Sequence, residues 1–133
     1  MTIESNKVII KKSIQDVFDF LKDTNNIYQL LPKNKVSDWK SDSLSCSFKV
    51  QGGIVISFLQ TNVENPNRIF FKSGEKAPFP FTLTIFLEEK NNQTEGFLKF
   101  DGEVNYFLKM MIENPLKNLF NFMSESLQQH FDQ

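Results

Sequence analysis

From Lys35 to about Val104 the apolar residues of this chain recur at every second position, and from about Phe107 to Phe131 at every third or fourth. Side chains alternate between two faces along a strand and wind at about 3.6 residues per turn along a helix, so a change of period marks a change of element. In the first region Leu44, Cys46, Phe48 and Val50 alternate with Ser45, Ser47 and Lys49. Phe81, Leu83, Ile85 and Leu87 alternate with Thr82, Thr84, Phe86 and Glu88. Gly96, Leu98, Phe100, Gly102 and Val104 do so with Glu95, Phe97, Lys99, Asp101 and Glu103. Such alternation gives one wet and one buried face, as in an antiparallel meander. Turn signals at Gln51-Gly52-Gly53, Asn65-Pro66-Asn67 and Lys90-Asn91-Asn92-Gln93 separate the runs, so neighbours in sequence are expected to pair. The spacing predicts strands over 36–39, 44–50, 54–63, 68–73, 81–88 and 95–104.

In the second region Ile112, Leu116, Leu119, Met123 and Leu127 form one helical stripe, with Phe120 and Phe131 on its flank. The pattern predicts a helix over 107–131, about 37 Å long at ~1.5 Å per residue. Leu108, Met111 and Ile112 extend the stripe upstream, so Pro115 reads as a kink in one long helix rather than the first turn of a new one capped by Asn114. Ahead of the sheet, residues 2–11 read as a strand, best supported at Val8-Ile9-Ile10. Ser13 is a helix cap with Asp16 three positions on, and Ile14, Val17, Phe18 and Leu21 share one face, which predicts a helix over 14–22. Asp23-Thr24-Asn25-Asn26 caps a second short helix, with Ile27, Leu30 and Leu31 apolar and Pro32 ending it.

The class is therefore α+β: a six- to seven-stranded antiparallel sheet, two short helices after the first strand, and a long C-terminal helix. At 133 residues the chain is expected to form one domain, 1–133. A twisted sheet of this width curls, and one helix does not fill the concavity along its whole length, which predicts a groove or cavity between them. Phenylalanine, with no polar handle, belongs in a dry interior, and 15 Phe stand here beside 2 Tyr and 1 Trp.

Charge excludes other classes. Lys+Arg 15 against Asp+Glu 16, spread evenly, lacks the basic excess of a nucleic-acid binder. No segment approaches the ~20 apolar residues of a membrane span. The start Met1-Thr2-Ile3-Glu4-Ser5-Asn6-Lys7 has no apolar stretch behind a basic opening, and Cys46 has no partner for a disulfide, so a cytoplasmic protein is the expectation.

The order of elements resembles the START / polyketide-cyclase-like superfamily (SRPBCC), the helix-grip fold shared with pollen-allergen ligand carriers. The resemblance rests on Ser13-Ile14-Gln15-Asp16-Val17-Phe18-Asp19-Phe20-Leu21-Lys22-Asp23, then Asn25-Asn26-Ile27 and Leu30-Leu31-Pro32, and on Leu108 to Leu116 as the start of the gripping helix. It spans essentially the full chain and is most similar to a small bacterial branch without a defined activity. It implies a pocket for a lipid, polyketide, quinone or similar apolar molecule. The pocket set expected here is Phe48, Ile56, Phe58, Phe71, Phe79, Phe81, Leu83, Phe100, Met111, Leu116, Phe120 and Met123, with Pro78-Phe79-Pro80-Phe81 at the mouth or holding a cis bond. Enzymatic members place polar residues inside the pocket, and these positions are apolar.

Little else suggests chemistry. His130, in the last helical turn, reads as a solvated residue at the helix end. Cys46 reads as a small buried hydrophobe, and Asp101 and Glu103 as part of a wet face. No zinc spacing or phosphate-binding glycine loop occurs, so no catalytic residue, metal or cofactor is assigned. The expectation is non-catalytic binding of an apolar small molecule. One alternative is a cyclase- or dehydratase-type enzyme, which would need Ser57, Gln60, Ser73 and Tyr106 brought together inside. Another is an interaction module with a filled core and an exposed apolar patch near Phe97, Phe122 or Trp39. The oligomeric state is not readable from these residues.

Overall fold

The computed structural model describes residues 1–132. The chain runs β1 (Thr2–Glu4), β2 (Val8–Ile10), α1 (Ile14–Lys22), a 3-10 helix (Thr24–Leu30), β3 (Val36–Ser41), β4 (Ser45–Val50), β5 (Ile54–Glu64), β6 (Arg68–Ser73), β7 (Phe81–Lys90), β8 (Gln93–Gly102) and α2 (Tyr106–Phe131). The strands form one curved antiparallel sheet of order β1-β8-β7-β6-β5-β4-β3, with β2 also on β8. Sequential strands pair from β3 to β8, and the first strand closes on the last.

The sheet has eight segments because the first strand is broken. Glu4 stands opposite Lys99 and Val8 opposite Gly96, so Ser5, Asn6 and Lys7 face only Phe97 and Leu98. This is a bulge. Its backbone stays tied to β8 through the Ser5 amide, which donates to the Leu98 carbonyl at 2.9 Å.

Local chemistry accounts for the other boundaries. The Ser13 hydroxyl accepts from the Asp16 amide at 3.3 Å and opens α1, which buries Val17, Phe18 and Leu21. Asp23 accepts from the Asn25 amide at 3.1 Å and opens the 3-10 helix. Gly52 and Gly53, between β4 and β5, take φ of 102° and 93°, which only glycine adopts without strain. Asn91 and Asn92 turn β7 into β8 at φ of 52° and 65°, the hairpin geometry that asparagine tolerates. β3 runs to Ser41, past the expected end at Trp39, by way of a register shift between Ser37 and Lys40 and a positive φ of 56° at Asp38.

Asn105 caps α2 by accepting from the Leu108 amide at 2.8 Å. The helix is continuous through Pro115. It lies along β1, β2 and β8 and against the 3-10 helix, while α1 packs on β7 and β8. Among the described residues no helix is long and apolar enough to cross a membrane.

Candidate functional site

The inner sheet face presents Cys46, Phe48, Val50, Ile56, Phe58, Ile69, Phe71, Phe81, Leu83, Ile85, Leu87, Leu98 and Phe100, all buried. Ile112, Leu116, Leu119, Phe120, Met123 and Leu127 of α2 join them in one continuous apolar cluster. The rings pack on one another. Phe58 meets Phe71 edge-on at 5.1 Å between centroids, and Phe100 lies 5.0 Å from Phe81 and 5.5 Å from Phe120. Phe79 is buried rather than poised at a mouth, 5.9 Å from Phe81 and 6.2 Å from Phe100. The cis bond lies at Asn65-Pro66, outside the Pro78–Phe81 segment.

Eleven of the twelve expected pocket residues are thus brought together: Phe48, Ile56, Phe58, Phe71, Phe79, Phe81, Leu83, Phe100, Leu116, Phe120 and Met123. Met111 is a correction. It is 71% exposed, because the inward line runs Leu108, Ile112, Leu116, Leu119 and places Met111 about 100° round the helix. Between α2 and the sheet a void of about 30 Å³ remains, bounded by Val8, Leu21, Ile27, Leu30, Ile85, Leu87, Met123 and Leu127 among others. That is room for about one water. The phenylalanines fill the concavity.

Open space of ligand size lies at the rim. A cleft of about 450 Å³ separates Pro115, Asn118, Leu119 and Phe122 of α2 from Pro32, Asn34, Lys35, Val50 and Gln51. Pro32 ends the 3-10 helix, the Gln51 amide donates to the Lys35 carbonyl at 2.8 Å, and the two-glycine turn follows. Val50 and Leu119 are buried members of the core cluster, so the phenylalanine set stands behind the cleft floor rather than around a hollow. Phe122, 43% exposed, is the exposed aromatic of its wall. The α2 residues 111, 115, 118 and 122 share one face at helical spacing, a line that sequence reasoning passed over in favour of the inward stripe.

The four polar residues that a cyclase- or dehydratase-type site would need are engaged separately. Gln60 donates to the Lys22 carbonyl at 2.9 Å, and Ser73 accepts from the Phe81 amide at 3.2 Å. Ser57 is buried beside Gly74, and Tyr106 is 71% exposed on the first turn of α2. Burial, with the Asp42 carboxylate as a second cause, pushes the Cys46 thiol well above its usual range, so it stays protonated. Asp42 itself is held below the usual carboxylate range by bonds from the Leu44 and Ser45 amides and the Ser45 hydroxyl. His130 is exposed, and its ring packs tilted against Phe20, 4.4 Å between centroids. Asp101 is exposed and accepts from the Thr2 hydroxyl. Among the described residues no three His, Cys, Asp or Glu form a group able to hold a metal.

Two of the three surface sites named from sequence are engaged within the chain. Phe97 stacks on Phe86 at 4.9 Å, with Lys7 over one ring and Arg68 over the other. Trp39 packs between Tyr28 and Phe48. The largest apolar exposure lies instead at Tyr106, Phe107, Met110 and Met111.

No protein-family model matches the chain, and no curated protein does. Solved structures do. The protein XoxI from Bacillus cereus is 16% identical, with a TM-score of 0.75, over 98% of this chain and 94% of its own. An uncharacterized protein from Bacillus thuringiensis is 15% identical with a TM-score of 0.76, covering 100% of both chains. A START superfamily protein from Mycobacterium smegmatis is 11% identical with a TM-score of 0.70, over 98% of this chain and 97% of its own. At such identities the likeness concerns the fold, and the chain has the START-like helix-grip fold.

Proposed function

We propose that this protein binds an apolar small molecule, of lipid, polyketide or quinone type, without transforming it. The START-like fold supports ligand binding in general, and the observation that carries the reading is the 450 Å³ cleft beside Pro115. Its volume lies within the ~300–1,000 Å³ of small-molecule sites. Its chemistry is divided. Pro32, Val50, Pro115, Leu119 and Phe122 offer an apolar wall and floor, while Asn34, Lys35, Gln51 and Asn118 offer polar atoms at the rim. This suits a molecule with an apolar body and one polar end. Burial of the body at ~25 cal/mol per Å² supplies affinity with little discrimination among apolar shapes. The buried phenylalanine set lies behind Val50 and Leu119 and backs the floor on which the body rests. The lone buried Cys46 fits a reducing, cytoplasmic setting.

The test is titration with anilinonaphthalene sulfonate, together with solvent extraction of the purified protein and mass spectrometry. Asn118→Trp projects an indole into the cleft from an exposed helical position. It is expected to weaken dye binding about tenfold or more with little change in Tm. Saturable binding that survives Asn118→Trp, or no saturable binding and empty extracts, would overturn the reading.

A further inference from the structure

Building on the reading of the cleft beside Pro115 as a binding site, we propose that its occupant ends in a carboxylate held by Lys35, so that the cleft selects long-chain acids over the matching alcohols. The polar rim consists of Asn34, Lys35, Gln51 and Asn118. No Asp or Glu lines this cleft, in a chain whose 16 Asp+Glu outnumber its 15 Lys+Arg. Other clefts are mixed. Asp42 and Glu75 share the walls beside Ser57 with Lys40 and Lys76, and Glu88 and Glu95 share those beside Phe86 with Lys7 and Arg68. An asparagine or glutamine turns either its amide nitrogen or its oxygen to a ligand, whereas a lysine only donates. Lys35 therefore sets the sign of what the rim accepts.

Its backbone is fixed and its side chain is free. The Lys35 amide donates to the Pro32 carbonyl at 2.8 Å, and its carbonyl accepts from the Gln51 amide at 2.8 Å, which ties the two sides of the rim together. Neighbouring cations are committed elsewhere: Lys33 lies over the Tyr28 ring, 4.8 Å from its centroid, and Lys49 stands 3.9 Å from Asp38. Among the described residues Lys35 has no ion pair, and the Asn34, Gln51 and Asn118 side chains make no hydrogen bond. One ammonium balances one negative charge. A carboxylate brings one, while a phosphate monoester brings about −1.5 to −2, more than this rim neutralises. The apolar chain then lies along Val50, Pro115, Leu119 and Phe122. All four polar rim residues are exposed, so the head stays in contact with water and the pair has the modest strength of a surface ion pair.

The test is displacement of the neutral dye Nile red by dodecanoate, dodecanol and dodecyl phosphate, each below its micelle concentration, from the parent, Lys35→Met and Asn118→Trp. Dodecanoate is expected to bind about fivefold more tightly than dodecanol at low ionic strength, with the ratio shrinking as salt rises. Lys35→Met keeps an unbranched stem and removes the charge at an exposed position, so it should bring the acid down to the alcohol with Tm unchanged. Equal affinities in the parent, a preference that survives Lys35→Met, or a phosphate that outbinds the carboxylate overturns the inference, and the cleft reading still stands where Asn118→Trp blocks the dye. Failure of the cleft reading looks different. Nile red then fails to bind the parent, or binds Asn118→Trp equally well, and the carboxylate assignment falls with it.

Discussion

The hydroxyl of Ser124, on α2, donates to the hydroxyl of Ser5, in the bulge between β1 and β2, across 2.8 Å. Ser5 also accepts from the Leu98 amide at 2.9 Å, and the Asn121 side chain takes the Asn6 amide at 2.8 Å. Both serines are buried. The broken strand is therefore a joint through which the gripping helix is fixed to the last strand, by bonds that an unbroken ladder would not leave free.

Ser124→Ala should cost about 1 kcal/mol, and Ser5→Ala, which also strips a partner from the buried Leu98 amide, about 2 kcal/mol. Because the two groups bond each other, the double variant should fall short of the sum by about 0.5–1 kcal/mol in urea unfolding. Strictly additive losses would show that the serines act independently.

Cys46 supplies a pH dependence. Its thiol is held protonated in the fold, by burial first and the Asp42 carboxylate second, whereas in the unfolded chain it ionises near the ordinary value of roughly 8.5. Below that value both states carry the proton and pH has no effect through this group. Above it the unfolded state alone loses the proton, so stability falls as pH rises, by up to about 1.4 kcal/mol per unit. Unfolding midpoints measured from neutral to alkaline pH should therefore decline more steeply in the parent than in Cys46→Ala, and equal slopes would refute the assignment.

The sequence was most informative where a boundary is written in adjacent residues. The Ser13 cap and the line Val17, Phe18, Leu21 place α1 correctly, and Asn65-Pro66-Asn67 marks the start of β6. The bulge at Ser5 was hidden because its cause, Ser124, lies 119 residues away. The inward faces of β4, β7 and β8 were legible from period two alone. Whether their phenylalanines line a space or fill it depends on how tightly the sheet curls, which alternation does not encode. Leu108, Met111 and Ile112 are all apolar and sit on neighbouring faces of the helix, so the sequence alone offers Met111 as inward. Only the docking of α2 decides among them, and it turns Leu108 and Ile112 in.

The filled interior can be tested at two glycines of β8. A Cβ at Gly102 would stand 2.8 Å and 3.0 Å from ring atoms of Phe100 and 3.4 Å from Phe79. The Phe100 ring is 1% exposed and held by Phe79, Phe81 and Phe120, so it has nowhere to move. A Cβ at Gly96 would meet the methyl end of Leu87 at 3.1 Å, a contact that a small rotation relieves. Replacing glycine by alanine restricts the unfolded chain and stabilises by roughly 0.4–1 kcal/mol where the space exists. Gly96→Ala should therefore be nearly neutral, and Gly102→Ala should lose about 1–3 kcal/mol to overpacking. Adding Phe100→Leu to Gly102→Ala should recover part of that loss, although Phe100→Leu alone is destabilising. A Gly102→Ala protein as stable as its parent would mean that the Phe100 ring has free volume beside it, and that the concavity holds the hollow which these rings otherwise close.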